Sequence, residues 1–138
     1  MNAAPGLGEF AAVGIGCGLG AVVRFEVSRR LAGRFGDAFP WATLAVNLSG
    51  CLLAGFALML LATPSSSAWA LLLTAGLLGG YTTVSSFSLE TLLLFQRGHS
   101  SAALAYLAAS MLGCLAATGL GAGLGRLWLD IGSGTGVG

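Results

Sequence analysis

The sequence predicts an all-α membrane protein of four transmembrane helices, the third of them broken, and three observations lead there. The 138 residues are 56% hydrophobic and 8% charged, with a mean hydropathy of +0.89. A soluble domain carries about 25% charged residues, so this chain could not cover a water-exposed surface with polar groups. Its apolar residues fall into four segments, residues 10–31, 41–62, 69–95 and 102–129. Each is long enough to cross a bilayer, which takes about 20 residues of helix. Inside the third segment stands Gly79-Gly80-Tyr81-Thr82-Thr83-Val84-Ser85-Ser86-Phe87-Ser88, a run of glycines and hydroxyls where a spanning helix should be apolar. In hydrocarbon every backbone N–H and C=O needs a partner, so a break is tolerated only where protein or a polar cavity supplies one. Breaks at mid-depth accordingly coincide with ion or substrate sites, which points to a channel or transporter.

The first segment carries Gly14, Gly18, Gly16 and Gly20 in two GxxxG pairs, and the fourth repeats the spacing at Gly121 and Gly125. Small residues let helix backbones approach closely in lipid, so these glycines are read as contact faces. Gly16-Cys17-Gly18-Leu19-Gly20-Ala21 loosely matches a dinucleotide fingerprint but lacks the preceding strand and the downstream acid. Arg24 is the only interior basic residue of the first segment. Intramembrane arginines are functional or paired, and Glu26, Glu90 and backbone carbonyls are the available partners; snorkelling to the interface is the alternative. The connections, 33–40, 63–67 and 96–101, are short, so neighbouring helices run antiparallel. Pro40 and Pro64 suit them because proline lacks a backbone donor. Four such helices enclose little volume, which places a pathway between two subunits rather than within one.

Charge narrows the class further. Six arginines and no lysine face five acids, which leaves no basic stripe for nucleic acid. Arg29, Arg30, Arg34 and Arg97 fall on one side of the bundle and only Arg126 on the other, which predicts both termini outside. Cys17, Cys51 and Cys114 have no metal-ligand spacing and read as small packing residues. No basic n-region or compact h-region marks a cleavable leader. Residues 1–131 form one transmembrane domain, and the glycine-rich tail 132–138 is expected to be disordered.

Polar side chains within the segments carry the chemistry. Asn47 offers two donors and one acceptor near the start of the second segment, beside the small face Gly50, Cys51 and Ala54. It must meet another helix or a wet pathway. Tyr106, Ser110, Cys114 and Thr118 recur every four residues, a slowly drifting stripe that would line an anion's path or bond to carbonyls one turn back. Val84 and Phe87 share a face, and a phenylalanine edge is electropositive. The carbonyls exposed near Gly79 to Thr83 suit a hard cation. No nucleophile–base pair, metal cluster or phosphate loop supports an enzyme.

These motifs, in order over about residues 10–129, resemble the CrcB/Fluc fluoride channels. Gly16-x-Gly18-x-Gly20-Ala21-x-x-Arg24-Phe25 looks like the family's first-helix motif. Thr43-Leu44-Ala45-Val46-Asn47-Leu48-Ser49-Gly50 looks like its second, and Gly79 to Glu90 its third-helix break. The resemblance implies an antiparallel, dual-topology-type homodimer in the cell membrane that exports fluoride passively through interfacial pores. It implies a central structural Na+ held by the backbone carbonyls of Gly79 and Thr82 from both subunits. It matches Asn47, Tyr106, Ser110, Phe87 and Arg24 to pore positions, and with them Val84 and the hydroxyls of Thr83, Ser85 and Ser86 are the expected anion-binding residues. One departure is evident: Val84 stands where the family has the first box phenylalanine. Together with the arginine bias, this raises the alternative of one subunit of a heterodimer completed by a paralogue. A small multidrug-resistance-type exporter is a further alternative, but it needs a glutamate mid-way along its first helix, whereas Glu9 precedes that helix and Glu26 lies near its end.

Overall fold

A computed structural model describes residues 6–36, 38–61 and 68–134. Helix α1 (Leu7–Phe35) is followed by α2 (Trp41–Leu60). The third crossing begins with α3 (Ala68–Leu71), widens into a π-helical stretch (Leu72–Leu78) and tightens again in α4 (Gly79–Tyr81). It resumes as α5 (Val84–Gln96), and α6 (Ser100–Gly132) completes the chain. Four spans, Leu7–Phe35, Trp41–Leu60, Trp69–Gln96 and Ser100–Gly132, are long and apolar enough to cross a membrane, so the protein is a multi-pass membrane protein. Both outer spans are longer than hydropathy alone suggests. At 1.5 Å per residue α6 reaches about 50 Å, beyond the roughly 30 Å hydrocarbon core. Helix α6 runs on to Gly132, with a turn at Ser133 and Gly134; residues 135–138 of the glycine-rich tail, and the 63–67 connection with Pro64, lie outside the described residues.

Each helix end has a local cause. Pro40 precedes α2, where its missing N–H costs nothing. Gly36 and Gly98 take φ of 70° and 78° after α1 and α5, a left-handed conformation that glycine enters without strain. The Glu9 carboxylate accepts from the Gly6 N–H at the start of α1. Between α4 and α5, near the middle of the third span, Thr82 (φ −76°, ψ 157°) and Thr83 (φ −149°, ψ 118°) are extended.

Two glycine seams hold the crossings together. On one, α1 packs against the first half of the third crossing. A Cβ at Gly16 would strike the Leu72 carbonyl and Gly76, one at Gly20 would strike the Leu77 carbonyl, and one at Gly80 would strike the Cys17 backbone. On the other, α2 packs against α6. There a Cβ at Gly55 would meet the Thr118 carbonyl, one at Gly121 the Leu52 carbonyl, and one at Gly125 Met59 and the Phe56 carbonyl. The GxxxG expectation therefore holds for Gly16/Gly20 and Gly121/Gly125. It fails for Gly14/Gly18, whose Cβ positions meet nothing within 4 Å: they lie two residues off the packed face, on the other side of the helix. A small buried cluster of Leu44, Leu94, Ala103 and Tyr106, flanked by Phe39, Leu48 and Phe87, ties α2, α5 and α6 together.

The seams make a sharp contrast between neighbouring glycines. Gly121→Ala is expected to destabilise the protein by about 1–3 kcal/mol through backbone collision. Gly123→Ala, whose Cβ meets open space, is expected to be neutral or to stabilise by up to about 1 kcal/mol through helix propensity. Thermal unfolding of the two variants in detergent checks this.

Candidate functional site: a polar groove beside the third crossing

The extended pair in the third crossing is held by one side chain. Asn47 on α2 donates from Nδ2 to the Thr83 carbonyl at 2.9 Å and accepts at Oδ1 from the Thr83 N–H at 2.8 Å. Both backbone polar groups of one residue are thereby bonded, its N–H at a point where the interrupted helix supplies no acceptor. Thr83 then starts α5: its Oγ1 accepts from the Ser86 N–H at 3.2 Å and lies 3.1 Å from the hydroxyls of both Ser85 and Ser86. A threonine capping a helix N-terminus in this way is worth about 1 kcal/mol.

Redirecting these donors has a consequence for the carbonyls. In an unbroken α-helix the Thr83 N–H would bond to the Gly79 carbonyl and the Ser86 N–H to the Thr82 carbonyl. Here Thr83 donates to Asn47, and Ser86 to the Thr83 hydroxyl. The carbonyls of Gly79 and Thr82 lose their regular helical donors. Among the described residues no group of three or more His, Cys, Asp or Glu could hold a metal ion, so these oxygens are what the break offers to a cation.

Beside the break runs a groove of about 420 Å³, lined by Asn47, Cys51, Thr82, Thr83, Val84 and Phe87 on one side and by Ser110, Cys114 and Thr118 with Met111 and Leu115 on the other. The four-residue stripe of α6 thus divides. Ser110, Cys114 and Thr118 face the groove. Tyr106, fully buried, turns away and donates to Glu90 Oε2 at 2.7 Å. Thr118 back-bonds to the Cys114 carbonyl at 2.9 Å. The Ser110 Oγ is buried without a hydrogen-bond partner among the described residues. Val84 stands at the rim, 77% exposed, while Phe87 packs its ring 5.3 Å from that of Tyr106.

Glu90 is the principal group that periodicity did not assign to a site. Its carboxylate accepts from Thr43 Oγ1 at 2.7 Å and from Tyr106 Oη at 2.7 Å, linking α2, α5 and α6 directly behind the groove. A single acid in an apolar run was the available signal. Its partners lie 47 and 16 residues away, which no local pattern connects. Arg24 is half-buried on α1, apart from the groove lining, and its side chain makes no hydrogen bond or ion pair among the described residues. Both acids considered for it are engaged: Glu26 with Arg29 at 2.9 Å and Arg30 at 2.6 Å, and Glu90 as described.

Comparison with known proteins agrees with this architecture. The CrcB-like protein family (Camphor Resistance, CrcB) matches residues 11–122. A fluoride-specific ion channel FluC of Bordetella pertussis is 45% identical over 123 residues, covering 88% of this chain and 94% of its own. The FluC of Sphingopyxis alaskensis is 44% identical over 109 residues (78% and 86%), and that of Chloroflexus aurantiacus 40% over 117 (83% and 93%). With four apolar crossings and a family match over most of its length, the chain belongs to the CrcB-like family.

Proposed function

We propose that this protein is a fluoride-selective channel that lets fluoride leave the cytoplasm passively, and that it is not an enzyme. The observation that carries the reading is the Ser110 hydroxyl, buried and without a partner among the described residues, in the lining of the groove that Asn47 and Thr83 share. A buried polar atom without a partner is costly and rare, and a small anion is the partner a hydroxyl donor takes. Fluoride holds its water tightly, so a narrow path must replace that water with close donors. Ser110 on one side of the groove, and the second Asn47 N–H and the electropositive edge of Phe87 on the other, are donors of the right kind. The names of the relatives supply the anion.

The groove is open along its length, and a second copy in antiparallel orientation would close it, consistent with the exposure of Val84 at its rim. The same arrangement would bring two interrupted crossings together. The carbonyls of Gly79 and Thr82, freed of their helical donors, fit a hard monovalent cation, which takes oxygen ligands and needs no acidic side chain. In this reading Gly79 and Thr82 hold a structural Na+, which would neutralise the carbonyl dipoles, and Asn47 keeps those carbonyls aimed. Thr83 caps α5 from within the groove lining, with the Ser85 and Ser86 hydroxyls beside it, and Tyr106 and Glu90 brace the wall behind it. Arg24 is placed away from the groove and is assigned to the membrane interface.

A second reading has specific support. Valine at position 84 presents no polarised ring edge, and arginines are biased to one side. A heterodimer with an oppositely oriented paralogue would supply the missing edge.

Fluoride efflux from liposomes holding this protein alone, with chloride as control, separates the two: rapid, fluoride-selective efflux is expected of the homodimer, and none of a subunit that needs a paralogue. In the homodimer Val84→Phe should leave efflux unchanged or raise it. Asn47→Ala removes both hydrogen bonds to Thr83 and should cost about 2–3 kcal/mol of stability, together with most of the efflux. Exchange of Na+ for a bulky organic cation should lower the thermal midpoint of the detergent-solubilised protein, and less so in Asn47→Ala.

A further inference from the structure

Two thiols lie in the groove wall beside the α2–α6 seam. Cys51 on α2 and Cys114 on α6 are free and half-buried, and both line the groove. The second and fourth crossings run parallel, and close contacts fix their register. A Cβ at Gly113 would meet the Leu48 side chain, and one at Gly55 the Thr118 carbonyl. Cys51 precedes Gly55 by four residues and Cys114 precedes Thr118 by four, so the two cysteines meet one turn along the same seam. Cys17 lies elsewhere, its thiol donating to the Ala75 carbonyl at 3.7 Å.

Two facing thiols with no third ligand select a narrow class of ion. Zn2+ needs four ligands, or three and a water, and no group of three or more His, Cys, Asp or Glu exists among the described residues. Ca2+ and Mg2+ take oxygen. Closed-shell thiophilic cations such as Cu+, Ag+ and Hg2+ prefer soft sulfur and are satisfied by two thiolates in line. We propose that Cys51 and Cys114 form a two-coordinate site for such a cation in the wall of the groove. On binding, two metal–sulfur bonds form, two S–H bonds break and two protons pass to water, with no change of oxidation state. Ser110 lies one turn before Cys114 and Thr118 one turn after it, so the bound ion stands within the groove. Cation binding requires only the two thiols. Its effect on fluoride rests on the transport reading above, where it obstructs the path.

The test uses the full-length C17S protein in chloride-free detergent, titrated with Hg2+. Uptake is followed by the ultraviolet thiolate-to-metal charge-transfer band and by proton release. One Hg2+ per chain with two protons released is expected, retained against glutathione roughly a hundredfold better than in C17S carrying Cys51→Ser or Cys114→Ser, because the second thiolate acts at high effective concentration. Two Hg2+ per chain, or equal retention by the single-thiol variants, would overturn the site; the stoichiometry in C17S decides the matter even where a serine variant fails to fold. In liposomes treated with Hg2+ and then with glutathione, fluoride efflux should stay abolished in C17S and recover in both single-thiol variants. Two-thiol binding with undiminished efflux would instead overturn the assignment of this groove to the anion path, leaving the metal site in place.

Discussion

The structure turns on the backbone of one residue, Thr83, and on the single side-chain amide that bonds both its N–H and its carbonyl. A crossing interrupted in hydrocarbon exposes backbone donors and acceptors that water cannot reach. Asn47 meets one of each with two hydrogen bonds, at 2.9 and 2.8 Å. That ring ties α2 to the start of α5, sends the Thr83 N–H away from the Gly79 carbonyl and frees the Thr83 hydroxyl to cap the helix that follows. Remove the amide and the break becomes an unsatisfied gap in a membrane. The polar groups at the break are therefore a by-product of satisfying the interrupted backbone.

Around this clamp the bundle is built with very little side chain. The two glycine seams bring backbone against backbone, α1 on the first half of the third crossing and α2 on α6. Lipid offers no hydrophobic reward for helix association, so close van der Waals contact has to supply it. The rigid seams leave the second half of the third crossing, α5, to be held by a different device. There the Glu90 carboxylate accepts from Thr43 and Tyr106, and the rings of Phe87, Tyr106 and Phe39 pack together. Partly buried acid oxygens are tolerable when they are hydrogen-bonded, and these join three helices. The wall of the groove thus has a stiff polar backing, which keeps Phe87 and Ser110 in place.

Much of this was legible in the sequence, for reasons that differ by residue. The four crossings follow from composition, because a chain with 8% charged residues has no other solvent. The polar run in the third segment was visible because glycine and hydroxyl residues are out of place there. Gly16/Gly20 and Gly121/Gly125 were readable from spacing, yet Gly14/Gly18 carry the same spacing and face open space. Spacing defines a face of a helix, and only the neighbour decides whether that face is used. The α6 stripe shows the same limit: Ser110, Cys114 and Thr118 reach the groove, and Tyr106, one turn earlier, turns to Glu90. Arg24 stood out as a lone charge, and the fold leaves it apart from the groove.

By itself, then, the sequence determined the solvent, the number of crossings, the position of the polar interruption and the family to which the motifs belong. All of these are properties of local composition and short-range spacing, and each is dictated by the cost of placing polar groups in hydrocarbon. Tertiary structure decided which donor satisfies which acceptor: Asn47 with Thr83, Glu90 with Thr43 and Tyr106, and, among the described residues, Ser110 with none. These pairings join residues far apart in the chain, so they depend on the register at which two helices lock. That register is set by backbone contact at the glycine seams, a quantity to which no stretch of residues refers until its neighbour is in place.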